Sequence, residues 1–585
     1  MLRALFKFNG GVKPNPNKDD STRQPIARAP IPQRLIVPLH QHIGGTPRPL
    51  VKPGRHVLKG ERIGAADGNV SAAVHASTSG TVIAVEPRLM AHPSGLPVMS
   101  VVIESDGEDR WIEREPLAWR SAAPDEIRDY LRDAGVVGLG GAVFPSHLKL
   151  KPGRDTPTRT LVLNGAECEP FITCDDLLMR ERGEDIVRGG TVMRHMLQAK
   201  EVLIGIEDNK PRAVEAMRAA VARLGEDMQV IAVPTRYPAG GAKQLIRVLT
   251  GIEVPHGVRS TDYGVQCFNV GTAYAVWYAL ERGEPLISRI VTVAGNVERP
   301  RNFEVLFGTP VRELLALAGP LPDTDRAIMG GPMMGFALPG MEAPVVKATN
   351  CIIAASPRLF PPPPPEMPCI RCGACVLACP ADLQPHELYW FARSRNFGKA
   401  QEYYLFDCIE CGCCAYVCPS RIPLVDYYRY AKSEIWARER DKAAADSARD
   451  RYESRNERIE REKQEKAEKL AAKTAAAREA VEKQVAAKVS PAEAAPEPAS
   501  AASTVATTAA AQPPAAPPAA PADAEEARRK ALIAAALERA KAQKAAVQAR
   551  NVENLTPEKR AEIAEIEARR AKIREMAKTP DEPAE

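Results

Sequence analysis

The chain has 585 residues, with 79 Lys and Arg against 74 Asp and Glu and a formal net charge of +5. Charge this small and this mixed excludes a nucleic-acid binder driven by phosphate contacts, and the length calls for three or more folding units. No run approaches the ~18 apolar residues of a membrane span, and the start Met1-Leu2-Arg3-Ala4-Leu5-Phe6 lacks the apolar stretch of a signal peptide.

Residues 1–33, rich in Gly, Pro, Asn and Lys, read as an irregular arm. Over 34–110, short β-branched segments alternate with glycine turns, which predicts a small barrel or sandwich. This segment resembles the biotinyl/lipoyl-type hammerhead. Its hairpin tip lacks the lysine that carries a swinging cofactor, so a docking or structural module is the expectation. His40, His42 and His75 fall here and read as packing or solvent-facing side chains.

Residues 121–285 alternate helical patterns with the apolar runs 160–164, 202–206 and 230–233, which predicts an α/β layer with a mostly parallel sheet. Ligands of such sheets sit beyond the carboxyl ends of strands, so three loops stand out. The first, Gly135–Leu150, has glycines at 138, 140 and 141, followed by Phe144 and Lys149; it can bring backbone N–H groups to a flat or phosphorylated ligand. It lacks the dinucleotide fingerprint and a Walker ending, and a bare glycine turn explains it equally well. The second, Asn164–Phe171, sets Glu167 and Glu169 after a strand, either for ribose or amide groups or as a solvated turn. The third, Tyr237–Ile246, runs through Gly240 and Gly241 into a helix with Lys243 in its first turn, a plausible anion cradle.

Residues 288–340 read as two strands, a turn and a short helix, a small β-grasp-like module. The proline run 361–365 is pre-set as polyproline II and reads as a stiff spacer. From 366 to 435 come two matching runs, C-I-R-C-G-A-C-V-L-A-C-P and C-I-E-C-G-C-C-A-Y-V-C-P. Each places cysteines at i, i+3, i+6 and i+10 before a proline, the spacing of iron-sulfur cubane loops in which the fourth cysteine serves the other run's cluster. On that pattern Cys369, Cys372, Cys375 and Cys418 hold one [4Fe-4S] cluster, and Cys408, Cys411, Cys414 and Cys379 hold the second. Zinc would leave the third cysteine of each triplet idle, and a disulfide framework belongs to short secreted chains. Cys413 breaks the spacing and reads as a bystander, while Cys168, Cys174, Cys267 and Cys351 read as small buried hydrophobes. After the clusters a helix is expected to about Arg438. Residues 440–585 form a charged Ala-rich tail with an Ala/Pro stretch near 490–523 and a second helix to about Lys578. Such a tail is expected to be helical or disordered, since it cannot bury a core by itself.

Taken together, G-L-G-G-A-V-F-P-S-H-L-K-L and N-G-A-E-C-E-P resemble two motifs of the flavin- and NADH-binding subunit of respiratory complex I. The domain order over about residues 1–435 looks like that of the C subunit of the Rnf (Rsx) ion-translocating electron-transport complexes. The resemblance implies a multidomain α/β and α+β fold: a hammerhead barrel-sandwich, a complex I flavoprotein-like α/β domain, an SLBB-like β-grasp module and a two-cluster ferredoxin domain. It implies FMN and NAD(H) at Gly138, Gly140, Gly141, Phe144, Lys149, Asn164, Glu167, Glu169, Tyr237, Gly240, Asn269 and Thr272. The chain departs from the complex I pattern at Gly241, Ala242 and Phe268. The implied protein is an oxidoreductase subunit passing electrons between NAD(H) and a low-potential carrier such as ferredoxin or flavodoxin. It would sit on the cytoplasmic side of a bacterial inner membrane, where partner subunits move ions. The rival readings are an iron-sulfur subunit without functional flavin and a soluble ferredoxin-linked dehydrogenase.

Overall fold

A computed structural model describes residues 4–152, 156–486 and 564. The chain divides into two units, residues 1–467 and 468–585.

In the first unit, the α/β body is built on four parallel strands: β1 (Thr160–Gly165), β2 (Glu201–Glu207), β3 (Gln229–Val233) and β4 (Val265–Asn269). They lie in the order β3-β2-β1-β4. The chain therefore steps outward from β1 through β2 to β3, then returns to the other flank of β1 for β4. The strand order reverses between β1 and β4, and such a switch point opens a crevice outside the carboxyl ends of the strands. Leu161, Val162 and Leu163 are all buried, as expected of a parallel strand covered on both faces. Asn164 and Asn269 are register partners at the ends of β1 and β4. Asn269 also caps the following helix, α1 (Val270–Arg282), by accepting the Gly271 N–H at 2.8 Å.

The hammerhead forms a four-stranded and a three-stranded sheet between Arg34 and Ser105, closed over Leu35, Val37, Val57, Ile63 and Ile103. His42 and His75 are buried in this region. The β-grasp sheet is larger than the sequence pattern marks. It has six strands, taking in Cys351–Ala355 and, at its edge, Ala27–Arg28 of the N-terminal arm. The proline run 361–365 is exposed and carries no helix or strand.

Beyond a 3-10 turn at Asp20–Thr22 and the strand Ala27–Arg28 the arm has little regular structure, yet it is packed. Phe8 and Val12 are buried, Val12 pairs with Tyr237, and Gly11 N donates to the Ala378 carbonyl at 2.9 Å. The helix after the clusters does not stop near Arg438 but runs from Leu424 to Ala486. Alternating Glu, Lys and Arg with many Ala sustain it without a buried face, since its side chains from Arg438 to Gln484 are almost all exposed. The expected Ala/Pro stretch and second tail helix lie outside the described residues.

Candidate functional site: a glycine shelf and two cysteine cages

The glycine loop crosses the switch point. Leu139 N donates to the buried Thr272 hydroxyl at 2.9 Å, and Gly138 N donates to the Phe144 carbonyl at 2.8 Å, so both ends of the turn are tied down. Between them Gly140, Gly141 and Ala142 are exposed. A side chain on Gly140 would begin 3.1 Å from Asn269 Cβ, so the loop lies directly on the end of β4. Gly141 has φ +108° and nothing within 4 Å of where a Cβ would stand. The result is an open backbone shelf flanked by Asn164, whose amide donates to the Gly240 carbonyl at 2.8 Å. Gly138, Gly140, Gly141, Phe144, Asn164, Gly240 and Asn269 thus come together at the crevice.

The other expected binding residues are turned inward. Thr272 is buried and anchors the shelf. Lys149 donates to the Cys267 carbonyl and lies over the Phe268 ring, 4.4 Å from its centroid, and burial lowers its pKa. Glu167 accepts the Asp175 N–H at 2.6 Å, and Glu169 accepts those of Met333 and Met334 at 2.6 and 3.1 Å. Tyr237 is buried and donates its hydroxyl to the Cys411 carbonyl at 2.6 Å. Each of these side chains bonds a main-chain group of a neighbouring loop.

Two lysines that no sequence pattern singles out grip the acidic loop. Lys18, from the arm, donates to the carbonyls of Glu167 and Glu169 at 2.9 Å each and to that of Ile172. Its Nζ lies 4.0 Å from the Glu167 carboxylate. Lys210 donates to the Ala166 carbonyl at 2.6 Å and pairs with Glu207 at 3.0 Å. Burial pushes Lys18 down and Glu167 up to about 8, each toward its neutral form, and their mutual attraction opposes both shifts. Lysines at the end of an irregular segment or beside a helix start carry no periodic signal, which is why the sequence does not expose them.

The cysteine runs fold alike. In each, the residue before the second cysteine and the glycine after it take positive φ: Arg371 and Gly373 in the first, Glu410 and Gly412 in the second. A short helix then begins at Ala374 or Cys413. Such alternation turns successive N–H groups toward one side, a concavity suited to an anionic cluster. Cys369, Cys372, Cys375 and Cys418 line one cavity, with His386 and Tyr389. Cys379, Cys408, Cys411 and Cys414 line another, with Tyr428 and Leu388. Each cavity takes three cysteines from one run and the fourth from the other, and four thiols converging in a dry pocket are the donor set a cubane cluster requires.

The two cavities have different surroundings. The one containing Cys411 abuts the α/β body, where Tyr237, Val12, Ala378, Cys411 and Cys413 pack together. The other opens outward: Cys372 is exposed, and Ile370 and Leu377 beside it are 67% and 82% exposed.

Comparison with known proteins agrees with this layout. Residues 6–108 match the RnfC barrel sandwich hybrid domain, 131–278 the Nuo51 FMN-binding domain, 290–337 the SLBB domain and 368–422 the 4Fe-4S dicluster domain. Over 462 residues the chain is 48% identical to the C subunit of the ion-translocating oxidoreductase complex of Salmonella typhimurium, covering 78% of this chain and 62% of that protein. The Salmonella gallinarum protein of the same name is 48% identical over 78% of this chain and 68% of its own. The chain belongs to the family of ion-translocating oxidoreductase complex C subunits. Part of the Salmonella typhimurium relative, more than a third, lies beyond the aligned stretch. A looser likeness, at TM-score 0.40 and 17% identity, extends to an NAD+-reducing [NiFe]-hydrogenase over 55% of this chain and 64% of that one. As a member of this family the chain has an FMN-binding domain and a two-cluster 4Fe-4S domain. Among the described residues no helix is long and apolar enough to cross a membrane.

Proposed function

We propose that this protein carries electrons between NAD(H) and a low-potential carrier system, with FMN on the glycine shelf and a [4Fe-4S] cluster in each cysteine cage. The observation that carries the reading is the placement of the two cages, one pressed against the body that bears the shelf and the other with a cysteine at the surface. A flavin exchanges two electrons with a nicotinamide and single electrons with a cubane, which is the chemistry these groups supply together.

The chain's own residues do the positioning. Gly140 and Gly141 keep the crevice clear, Asn164 and Asn269 tie the strand ends to the Gly240 carbonyl and the Asp175 carboxylate, and Thr272 fixes the height of the shelf. From Asn164 the protein is continuous to the inner cage. Its amide bonds the Gly240 carbonyl, Gly240 lies on the loop that begins with Tyr237, and the Tyr237 hydroxyl bonds the Cys411 carbonyl. The eight cysteines of the two cages hold the clusters, with Cys413 outside the ligand set. Exposed Ile370 and Leu377 rim the outer cage and suit contact with another subunit. On this reading the protein is a peripheral subunit at the cytoplasmic face of a bacterial inner membrane. It exchanges electrons indirectly with ferredoxin or flavodoxin, and partner subunits couple that exchange to ion movement.

The test is iron, sulfide and flavin quantification on full-length protein purified without oxygen, followed by NADH addition. About eight iron atoms per chain, a bound flavin and bleaching of the flavin absorbance are expected. Iron without flavin, with no spectral response to NADH, would leave an iron-sulfur subunit whose flavin chemistry lies elsewhere.

A further inference from the structure

Tyr237 is among the residues that the complex I resemblance implies for flavin and nicotinamide, yet its side chain is aimed the other way. Its main chain is clamped by Val12, with Val12 N donating to the Tyr237 carbonyl at 2.8 Å and Tyr237 N to the Val12 carbonyl at 3.0 Å. The residue is 2% exposed, and the hydroxyl meets the Cys411 carbonyl at 2.6 Å, at the short end for an O–H···O bond. Two further contacts fix the same loop. The Cys413 thiol packs 4.0 Å from the Tyr237 carbonyl, and the Met333 carbonyl lies 2.8 Å from where a side chain on Gly412 would begin. Met333 is itself held by Glu169, which also stands beside the Tyr237 hydroxyl. Glu169 Oε1 takes the Met333 and Met334 N–H groups, and the Tyr237 hydroxyl donates to the Cys411 carbonyl.

We propose that Tyr237 is a positioning residue for the inner cage: it pins the Cys411 main chain and raises the midpoint potential of the cluster held by Cys379, Cys408, Cys411 and Cys414. This rests on the cluster reading given above. An O–H bond pointing its positive end at the cage favours the extra negative charge that reduction brings, and in a buried, low-dielectric contact that dipole is weakly screened. Cluster potentials respond to such neighbouring hydrogen bonds and to solvent exposure. The outer cage has no counterpart contact with the body among the described residues, so the effect is confined to one cluster of the two.

Tyr237→Phe keeps the ring and removes the donor. In full-length protein purified anaerobically, iron and sulfide are measured first, then each cluster's midpoint by potentiometric titration monitored by electron paramagnetic resonance. The expected result is wild-type iron content, one midpoint shifted to more negative potential and the other unmoved. Unchanged midpoints, or equal shifts of both, overturn the assignment. A 3-fluorotyrosine at position 237, a stronger donor of nearly the same shape, should shift the same cluster the opposite way. That reading applies even if the Phe variant loses iron, and a shift of the same sign, or none, counts against the assignment. Wild-type protein without iron would overturn the cluster reading itself, and this inference with it.

Discussion

The cluster domain and the α/β body encode their sites on different length scales. Within Cys369–Cys379 or Cys408–Cys418 the ligands, the two left-handed turns and the helix start are all supplied by one short run, and only the fourth ligand is borrowed. The body instead gathers Gly140 and Gly240 from two loops and Asn164 and Asn269 from the ends of two strands, by the order of strands in a sheet. A local code fixes side-chain roles along with spacing. A non-local one places the backbone and leaves burial to decide which side chains face the ligand. In keeping with that difference, the eight cage cysteines line the two cavities, whereas the side chains of Thr272, Lys149, Glu167, Glu169 and Tyr237 bond main-chain groups of neighbouring loops.

The sharpest way to break this contrast is in the cage. Cys411→Ser is expected to lower iron by roughly half, one cluster's share of two. Cys413→Ser, two residues on and outside the ligand set, should leave iron unchanged. Equal losses in the two variants would show that the local spacing has been misread. In the body, side chains that bond main-chain groups should behave as stability residues. Lys18→Met strips the Glu167 carboxylate and three carbonyls of their buried cation and should cost ~3–5 kcal/mol in denaturant unfolding. A variant as stable as wild type would mean that the arm is not bound there in solution. Thr272→Val leaves the Leu139 N–H without an acceptor and should cost ~1–3 kcal/mol, with weaker flavin retention and normal iron.

The smallest effect concerns the seam between hammerhead, body and β-grasp sheet. Lys347 is buried there, donating to the Ala73 carbonyl at 3.2 Å and the Gly135 carbonyl at 2.6 Å, and burial lowers its pKa to about 7. The folded pKa is below the unfolded value of 10.5, so the unfolded chain binds more protons between these limits. This group's contribution therefore makes stability rise with pH from about 7 to about 10.5. Lys347→Met should flatten that slope in melting temperatures recorded at pH 7 and pH 9. An identical slope in the variant would assign the effect to other groups.

Much of the architecture was legible because each module carries its own pattern: glycine turns between short strands, apolar runs between helices, doubled cysteine spacing. What was not legible depends on distant partners. The strand Cys351–Ala355 enters the β-grasp sheet by pairing with both Ser288–Gly295 and Arg326–Met329. Lys18 and Val12 belong to a segment without periodicity, and their partners lie beyond residue 160. The long helix after the clusters has no apolar stripe past its first turns to betray where it ends.

The arm has a consequence for how the protein is made. Asn9 bonds Asp382, 373 positions later, Gly11 bonds Ala378, and Lys18 closes on the acidic loop. Residues 9–11 therefore find their final place only after the first cysteine run has been translated, and such long-range closure is slow. One short arm thus touches both the cysteine-run region and the acidic loop of the body, so the two are tied together through the same few residues.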